Sequence, residues 1–232
     1  MMKSNSCYMW LHAKALFTRN ENEELMAVRE PWNCTSHPAP RFYLARPLYE
    51  KAFAYFRTDV SKNLREQLQK LVDGEPALVR PNEAPAYIEE YKYLLRGKDI
   101  SEEACFWIPQ QPYSDASILT ADNIGTQADY YFPYLTEELQ NNSFCAVYLK
   151  NTQVVSICRS VRIIQGAEEA GIETNELYRR RGYAFQVLAK WSETVRQNGS
   201  IPLYSACISN TASLNLAKKA GSIFFGNGFS IK

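Results

Sequence analysis

Three consecutive arginines followed by small residues, Arg179-Arg180-Arg181-Gly182-Tyr183-Ala184, form a segment whose residue types can do chemistry at short range. It sits between a strand-like run and a long helical run. At a helix start the first backbone N–H groups have no intrahelical partner, and the macrodipole is positive. Gly182 and Ala184 leave the backbone open to close approach by a ligand, and the arginines add cationic charge. Together these features describe a pyrophosphate cradle. A second set is acidic. Glu168, Glu169 and Glu173 surround the strand before the cradle, and strand alternation puts Glu169 and Glu173 on one face and Glu168 on the other. Such carboxylates are candidates for general-base work.

The elements that must position these groups read most clearly in the last hundred residues. Ser143–Leu149 and Val154–Arg159 are strands joined by a turn, and Ala170–Thr174 is a third strand. A helix runs from about Gly182 to Gln197, with an apolar stripe of Ala184, Val187, Leu188, Trp191 and Val195. Ile201–Ile208 is a strand, Asn210–Ala220 a helix ending at Gly221, and Ser222–Ile231 a final strand. This alternation implies a partly parallel sheet with helices on its faces. The first sixty residues read as a small β-meander, with strands near Ala13–Val28, Phe42–Ala45 and Phe53–Arg57 and a loop from Pro31 to Pro40. A helix follows, with Ser61 as its N-cap and Gly74 as its C′ residue. Ala84–Arg96 is a further helix, Ser117–Leu119 a short strand and Asp122 a candidate N-cap. The domain reading is an N-terminal part, 1–100, packed on a second unit, 101–232.

Composition bounds the rest. The 232 residues are 46% hydrophobic and carry 26 basic against 25 acidic side chains. That balance argues against nucleic acid as a partner, because such binding draws on phosphate neutralisation. The six cysteines (Cys7, Cys34, Cys105, Cys145, Cys158 and Cys207) lack C-x-x-C spacing and regular histidine neighbours, so neither a disulfide framework nor a metal site is expected. A Cys–His nucleophile is not expected either, since no histidine lies near Cys158 or Cys207 in sequence. The N-terminus lacks the features of a signal peptide, and no run approaches the roughly 20 apolar residues of a spanning helix. The expectation is a cytoplasmic protein that does not engage a membrane, with Asn33-Cys34-Thr35 and Asn141-Asn142-Ser143 as idle sequons.

The arginine–glycine segment resembles the R/Q-x-x-G-x-G/A acyl-CoA signature of the GNAT superfamily of N-acetyltransferases, with Arg179, Gly182 and Ala184 in the three defining places. Asn210, Ser213, Leu216, Lys219 and Gly221 resemble that fold's N-x-x-A/S-x-x-L-x-x-K-x-G end. Longer runs, among them ALFTRNENEELMAVREP and PAPRFYLAR, look like a bacterial subgroup of the superfamily. The resemblance implies an α/β (α+β) GNAT fold, a central mixed twisted sheet flanked by helices, here with the extra N-terminal meander and helices. It implies acetyl-CoA as cofactor. Ile172, Glu173 and Thr174 would offer strand-edge groups to the pantetheine. The backbone of Arg180, Arg181, Gly182, Tyr183 and Ala184 would hold the pyrophosphate. Arg179 would hold the loop or the phosphates, and Asn210 and Ser213 would contact the cofactor from the next helix. The catalytic candidates are Glu173 and Glu169 as base. The tyrosine that relatives use as acid is replaced by Ala217; Tyr204 or Ser205 could substitute, or the thiolate could leave without a dedicated acid.

The reaction expected is direct acetyl transfer to an amine, with a small-molecule acceptor; a protein N-terminus or lysine is the alternative, and the near-zero net charge offers no preference. The rival reading is a non-catalytic acyl-CoA-binding sensor, motivated by Ala217. No P-loop or dinucleotide fingerprint supports a phosphate-binding protein of other ancestry. The tyrosines at 87, 91, 93, 113, 130, 131 and 134 could line an acceptor pocket or fill the core. The N-terminal meander could cap the acceptor site or form a homodimer interface.

Overall fold

The computed structural model describes residues 3–29, 37–128 and 130–232. Cys34, its sequon and most of the loop expected from Pro31 lie outside the described residues. In chain order the elements are α1 (Asn5–Leu16), β1 (Phe17–Arg19), β2 (Leu25–Val28), β3 (Phe42–Pro47), β4 (Phe53–Phe56), α2 (Lys62–Gly74), α3 (Ile88–Leu95), β5 (Ile100–Trp107), β6 (Ser117–Leu119) and α4 (Leu135–Asn141). Then come β7 (Cys145–Lys150), β8 (Gln153–Ile164), β9 (Ala167–Thr174), α5 (Tyr183–Gln197), β10 (Ile201–Cys207), α6 (Thr211–Lys219) and β11 (Ile223–Ile231).

Nine strands form one mixed sheet in the order β4-β3-β11-β5-β10-β9-β8-β7-β6, and β1 and β2 make a separate hairpin. Within this sheet, among the described residues, β9 and β10 are the one parallel pair of strands; the other pairings are antiparallel. Alternation sorts side chains to two faces. Tyr43, Ala45, Cys105 and Leu203 pack under α1, and Cys145, Val147, Val154 and Ile157 pack under α4. On the opposite face Phe42 and Leu44 meet α2 and α3, while Ala146, Cys158 and Tyr204 meet α5 and α6. No helix is long and apolar enough to cross a membrane among the described residues.

The later strands and helices fall where periodicity puts them. The four strands expected in the first sixty residues form as β1 to β4, but as two hairpins in separate sheets rather than one meander, and ahead of them α1 occupies Asn5–Leu16, capped by Ser4, whose side chain accepts from Cys7 N. This helix buries Tyr8, Met9, Leu11, His12, Ala13, Ala15 and Leu16. Apolar almost all round, it lacks the one-sided stripe that identifies a surface helix. Three smaller expectations also change. Gly74 ends α2 inside its last turn, with Glu75 as C-cap in extended conformation. Asp122 lies in a turn rather than at a helix start, and α4 forms further on. β5 carries Glu102-Glu103 and yet runs between β10 and β11 in the middle of the sheet. The boundary read at residue 100 therefore falls at the first residue of a central strand, and β3 joins the same sheet through β11.

Candidate functional site

β9 and β10 pair only at Ala167–Ile201, Glu168–Pro202 and Glu169–Leu203. Beyond that point β9 continues to Thr174 along β8, and β10 continues to Cys207 along β5. From Ala170 on one strand and Tyr204 on the other, each therefore has an edge with no strand beside it among the described residues. The opening lies at the carboxyl ends of both strands, where open α/β sheets bind ligands.

The chain leaves β9 through a 3-10 turn, Glu176–Tyr178, and then turns into α5. Arg180 (φ 61°) and Gly182 (φ 86°) are both left-handed, with Arg181 between them. A Cβ at Gly182 would meet only the Lys219 Nζ, 3.5 Å away, so the cradle is open and has a cation at its rim. Arg179 donates from Nε to Thr174 O (3.2 Å) and pairs with Glu176 (3.3 Å), which ties the loop to the end of β9. Arg180 and Arg181 are exposed, the latter 5.5 Å from the Tyr178 ring centroid. Tyr183 stacks on Tyr148 at 4.3 Å, fixing the first residue of α5 against β7. Asn210 caps α6 by accepting from Ser213 N (3.1 Å), and Thr174 Oγ1 shares a hydrogen bond with Ser156 Oγ (2.7 Å). Ile172 packs in the core beneath α5. Free strand edges, an open left-handed loop, a helix N-terminus and three cations are a donor set that fits a pantetheine arm ending in phosphates.

The carboxylate candidates part company. Glu169 sits at the last paired position, 2% exposed, and accepts from Ser205 Oγ (2.5 Å) across the strand junction. Arg162 Nη1 lies 3.4 Å from its other oxygen. Glu173, at the far end of β9, is exposed and engaged by Arg159 (2.8 Å) and by Tyr134 OH (2.7 Å). Glu168 is turned to the α5 face, where it accepts from Ser160 Oγ (2.5 Å). Tyr204 is buried, its hydroxyl donating to Ser213 O (3.4 Å), and burial raises its pKa. Ala217, in the place of the usual tyrosine, is 1% exposed in the α5–α6 core and offers no acid group. Of the tyrosines, Tyr91 is core, Tyr93, Tyr113 and Tyr130 are exposed, and Tyr131 meets Tyr178 edge-on beside the loop.

Two groups join Glu169 that motif reading missed. His12 from α1 is fully buried, with Nε2 at 3.0 Å from Glu103 Oε1 and Nδ1 at 3.8 Å from Glu169 Oε1. Glu103 also accepts from Tyr43 OH (3.4 Å). Cys105 lies within 4.8 Å of the His12–Glu103 pair, so the fold brings a cysteine and a histidine together that lie 93 residues apart in sequence. Burial pushes the Cys105 thiol up to about 11, which makes it a poor nucleophile at neutral pH. Burial alone would lower His12, but Cys105 first, and then the carboxylates of Glu103 and Glu169, leave it well above its ordinary value. Glu103, which burial would raise, is held below its ordinary value by His12. The signal available in the sequence was weak: Glu102-Glu103 inside an otherwise strand-forming run.

Comparison with known proteins places part of the chain. Residues 131–225 match the family model for GNAT acetyltransferases. Among solved structures, the chain is similar to a GCN5-related N-acetyltransferase-like protein from Streptococcus suis, at 16% identity over 99% of this chain and 100% of that one, with a TM-score of 0.47. It is also similar to an acetyltransferase candidate of the GNAT family from Novosphingobium aromaticivorans, at 13% identity and a TM-score of 0.48. That match covers 59% of this chain and 65% of the other, just under two thirds of its length. A GNAT-family acetyltransferase from Colwellia psychrerythraea gives 14% identity over 78% and 76%, with a TM-score of 0.45. No curated protein matches the sequence.

Proposed function

The chain belongs to the GNAT superfamily through residues 131–225, and from that premise we propose that it moves an acetyl group from acetyl-CoA to an amine by direct transfer. A small-molecule amine is the acceptor this reading favours. The observation that carries it is the parting of β9 and β10 beyond Glu169 and Leu203, beneath the loop that opens α5. Bound acetyl-CoA supplies an activated acyl thioester. The free edge of β9 at Ile172–Thr174 would hold the pantetheine, assisted by Asn210 and Ser213. The backbone of Arg180 to Ala184 would hold the pyrophosphate, with Arg179 bracing the loop and Lys219 adding charge at its rim.

Glu169 is the base in this reading. It lies where the strands part, and Ser205 orients it. Its work is to take one proton from the acceptor ammonium and so free the nitrogen lone pair. Glu173 is already paired with Arg159 and serves better as an acceptor-side charge at the mouth of the opening. Tyr204, held by Ser213 O, is the remaining candidate acid.

Ala217 favours a second reading, an acyl-CoA-binding module without turnover. Calorimetric titration with acetyl-CoA, followed by thiol release against an amine panel, separates the two. Turnover supports transfer. Binding without turnover, unchanged in a Glu169→Gln/Glu173→Gln double variant, supports the sensor. Absence of binding in the parent sinks both.

A further inference from the structure

His12 belongs to no motif, yet it has carboxylates at both edges of its ring. Its Nε2 meets Glu103 Oε1, while its fully buried Nδ1 has no hydrogen-bond partner of good geometry among the described residues and lies 3.8 Å from Glu169 Oε1, with Cys105 also against the ring. The groups around it come from five strands: Glu103 and Cys105 on β5, Glu169 on β9, Arg162 on β8, Ser205 on β10 and Tyr43 on β3. A carboxylate buried beside an opening tends to hold its proton unless a cation is kept near it. Arg162 is one such cation, donating from Nη1 to Glu169 Oε2 (3.4 Å) and from Nε to Arg29 O (3.1 Å). The second cation is His12, and it comes from the N-terminal helix.

We propose that His12 is a positioning residue that keeps Glu169 in its base form, with Glu103 holding the imidazolium by Nε2 so that Nδ1–H addresses Glu169. This rests on the acyl-transfer reading of the same site. The acceptor ammonium gives one proton to Glu169, the N–H bond breaks and the nitrogen keeps its electron pair. Glu169 becomes a neutral acid and later returns that proton to water, while His12 retains its own throughout. The arrangement follows the logic of a carboxylate that fixes an imidazole for work on its other nitrogen. A metal ion on His12, Glu103 and Cys105 is the competing use of these atoms. It requires a thiolate, whereas burial favours the Cys105 thiol.

The chain has two histidines, His12 and His37, so the imidazole resonances can be assigned with one variant, His12→Gln. NMR titration of the full chain without ligand is expected to show His12 still protonated well above pH 6.5, its ordinary midpoint. Glu169→Gln and Glu103→Gln are each expected to lower its midpoint by about one unit, the scale of losing a nearby opposite charge. In His12→Gln the acid limb of the kcat/KM profile should move to higher pH by about one unit, while acetyl-CoA binding by calorimetry is retained. Should that variant not fold, Glu103→Gln carries the same profile test, because it loosens the imidazole without removing it. The proposal is overturned by a His12 midpoint that Glu169→Gln leaves in place. It is equally overturned by an activity loss in His12→Gln that is uniform with pH, or by stoichiometric divalent metal in the purified protein. If the parent fails to bind acetyl-CoA, the acyl-transfer reading falls, and the titration still decides whether His12 and Glu169 are paired.

Discussion

Two buried polar clusters lie on opposite faces of the same sheet, and they differ in what surrounds them. On the α2–α3 face, Arg46 (3% exposed) lies 3.8 Å from Glu75 and donates to Glu83 O, while Tyr91 OH donates to Glu75 (3.1 Å). The strands over it stay paired on both sides past a bulge at Phe225, Arg46 opposite Asn227 and Asn227 opposite Ala104. On the α1 face, His12, Glu103 and Glu169 carry a similar charge pattern, but the sheet opens directly beside them. Buried ion pairs by themselves are weak evidence of function. In the proposed reaction the opening is what would let a substrate reach one cluster and not the other.

The comparison breaks most sharply at the two carboxylates. Glu169→Gln is expected to lower kcat/KM by about 10²–10⁴-fold, the usual contribution of a general base, with acetyl-CoA affinity retained. Steady-state kinetics alongside calorimetry checks this. Glu75→Gln leaves Arg46 buried without its counter-charge and is expected to cost about 3–5 kcal/mol of stability with kcat of the folded fraction unchanged. Urea unfolding and active-site-normalised rates test it. Rates that follow Glu75 instead would invert the assignment of the two faces.

Smaller effects sharpen the picture around the opening. Gly182→Glu places a carboxylate in the cradle at a left-handed position, whereas Gly182→Ala introduces only the backbone strain, typically about 1 kcal/mol. Acetyl-CoA binding lost in the first and largely kept in the second would assign the loop to the phosphates. Lys219→Ala should weaken acetyl-CoA binding by up to about fivefold, the range of an exposed charge contact. The smallest effect is on pH. The folded-state pKa of His12 is raised, so its stabilisation is fully present below pH 6.5 and is lost as pH rises through the folded value. His12→Gln should flatten that part of the stability curve, measured by urea midpoints from neutral to alkaline pH.

How much was legible varies by element for physical reasons. α5 has a polar face and an apolar stripe ending in buried Trp191 and Val195, so its period betrays it. α1 is buried nearly all round, so it offers no period, and its histidine reads as an isolated residue. β5 is central, yet two glutamates break its apolar pattern, because one of them serves the polar cluster rather than the core. A criterion of closeness in sequence also failed for cysteine and histidine, since Cys105 and His12 meet only across the sheet.

The sequence by itself determined the last strands and helices, and it made Arg179–Ala184 a candidate cradle and Glu169 a candidate base, because these depend on local periodicity, small residues and a helix start. Only the tertiary structure decided that β9 and β10 part just beyond Glu169, and that Glu173 is spent on Arg159. It alone packed a helix from the N-terminal part against the paired end of these strands, carrying His12 to Glu169. Strand parting and charge pairing across a sheet are long-range contacts, and no local spacing encodes them.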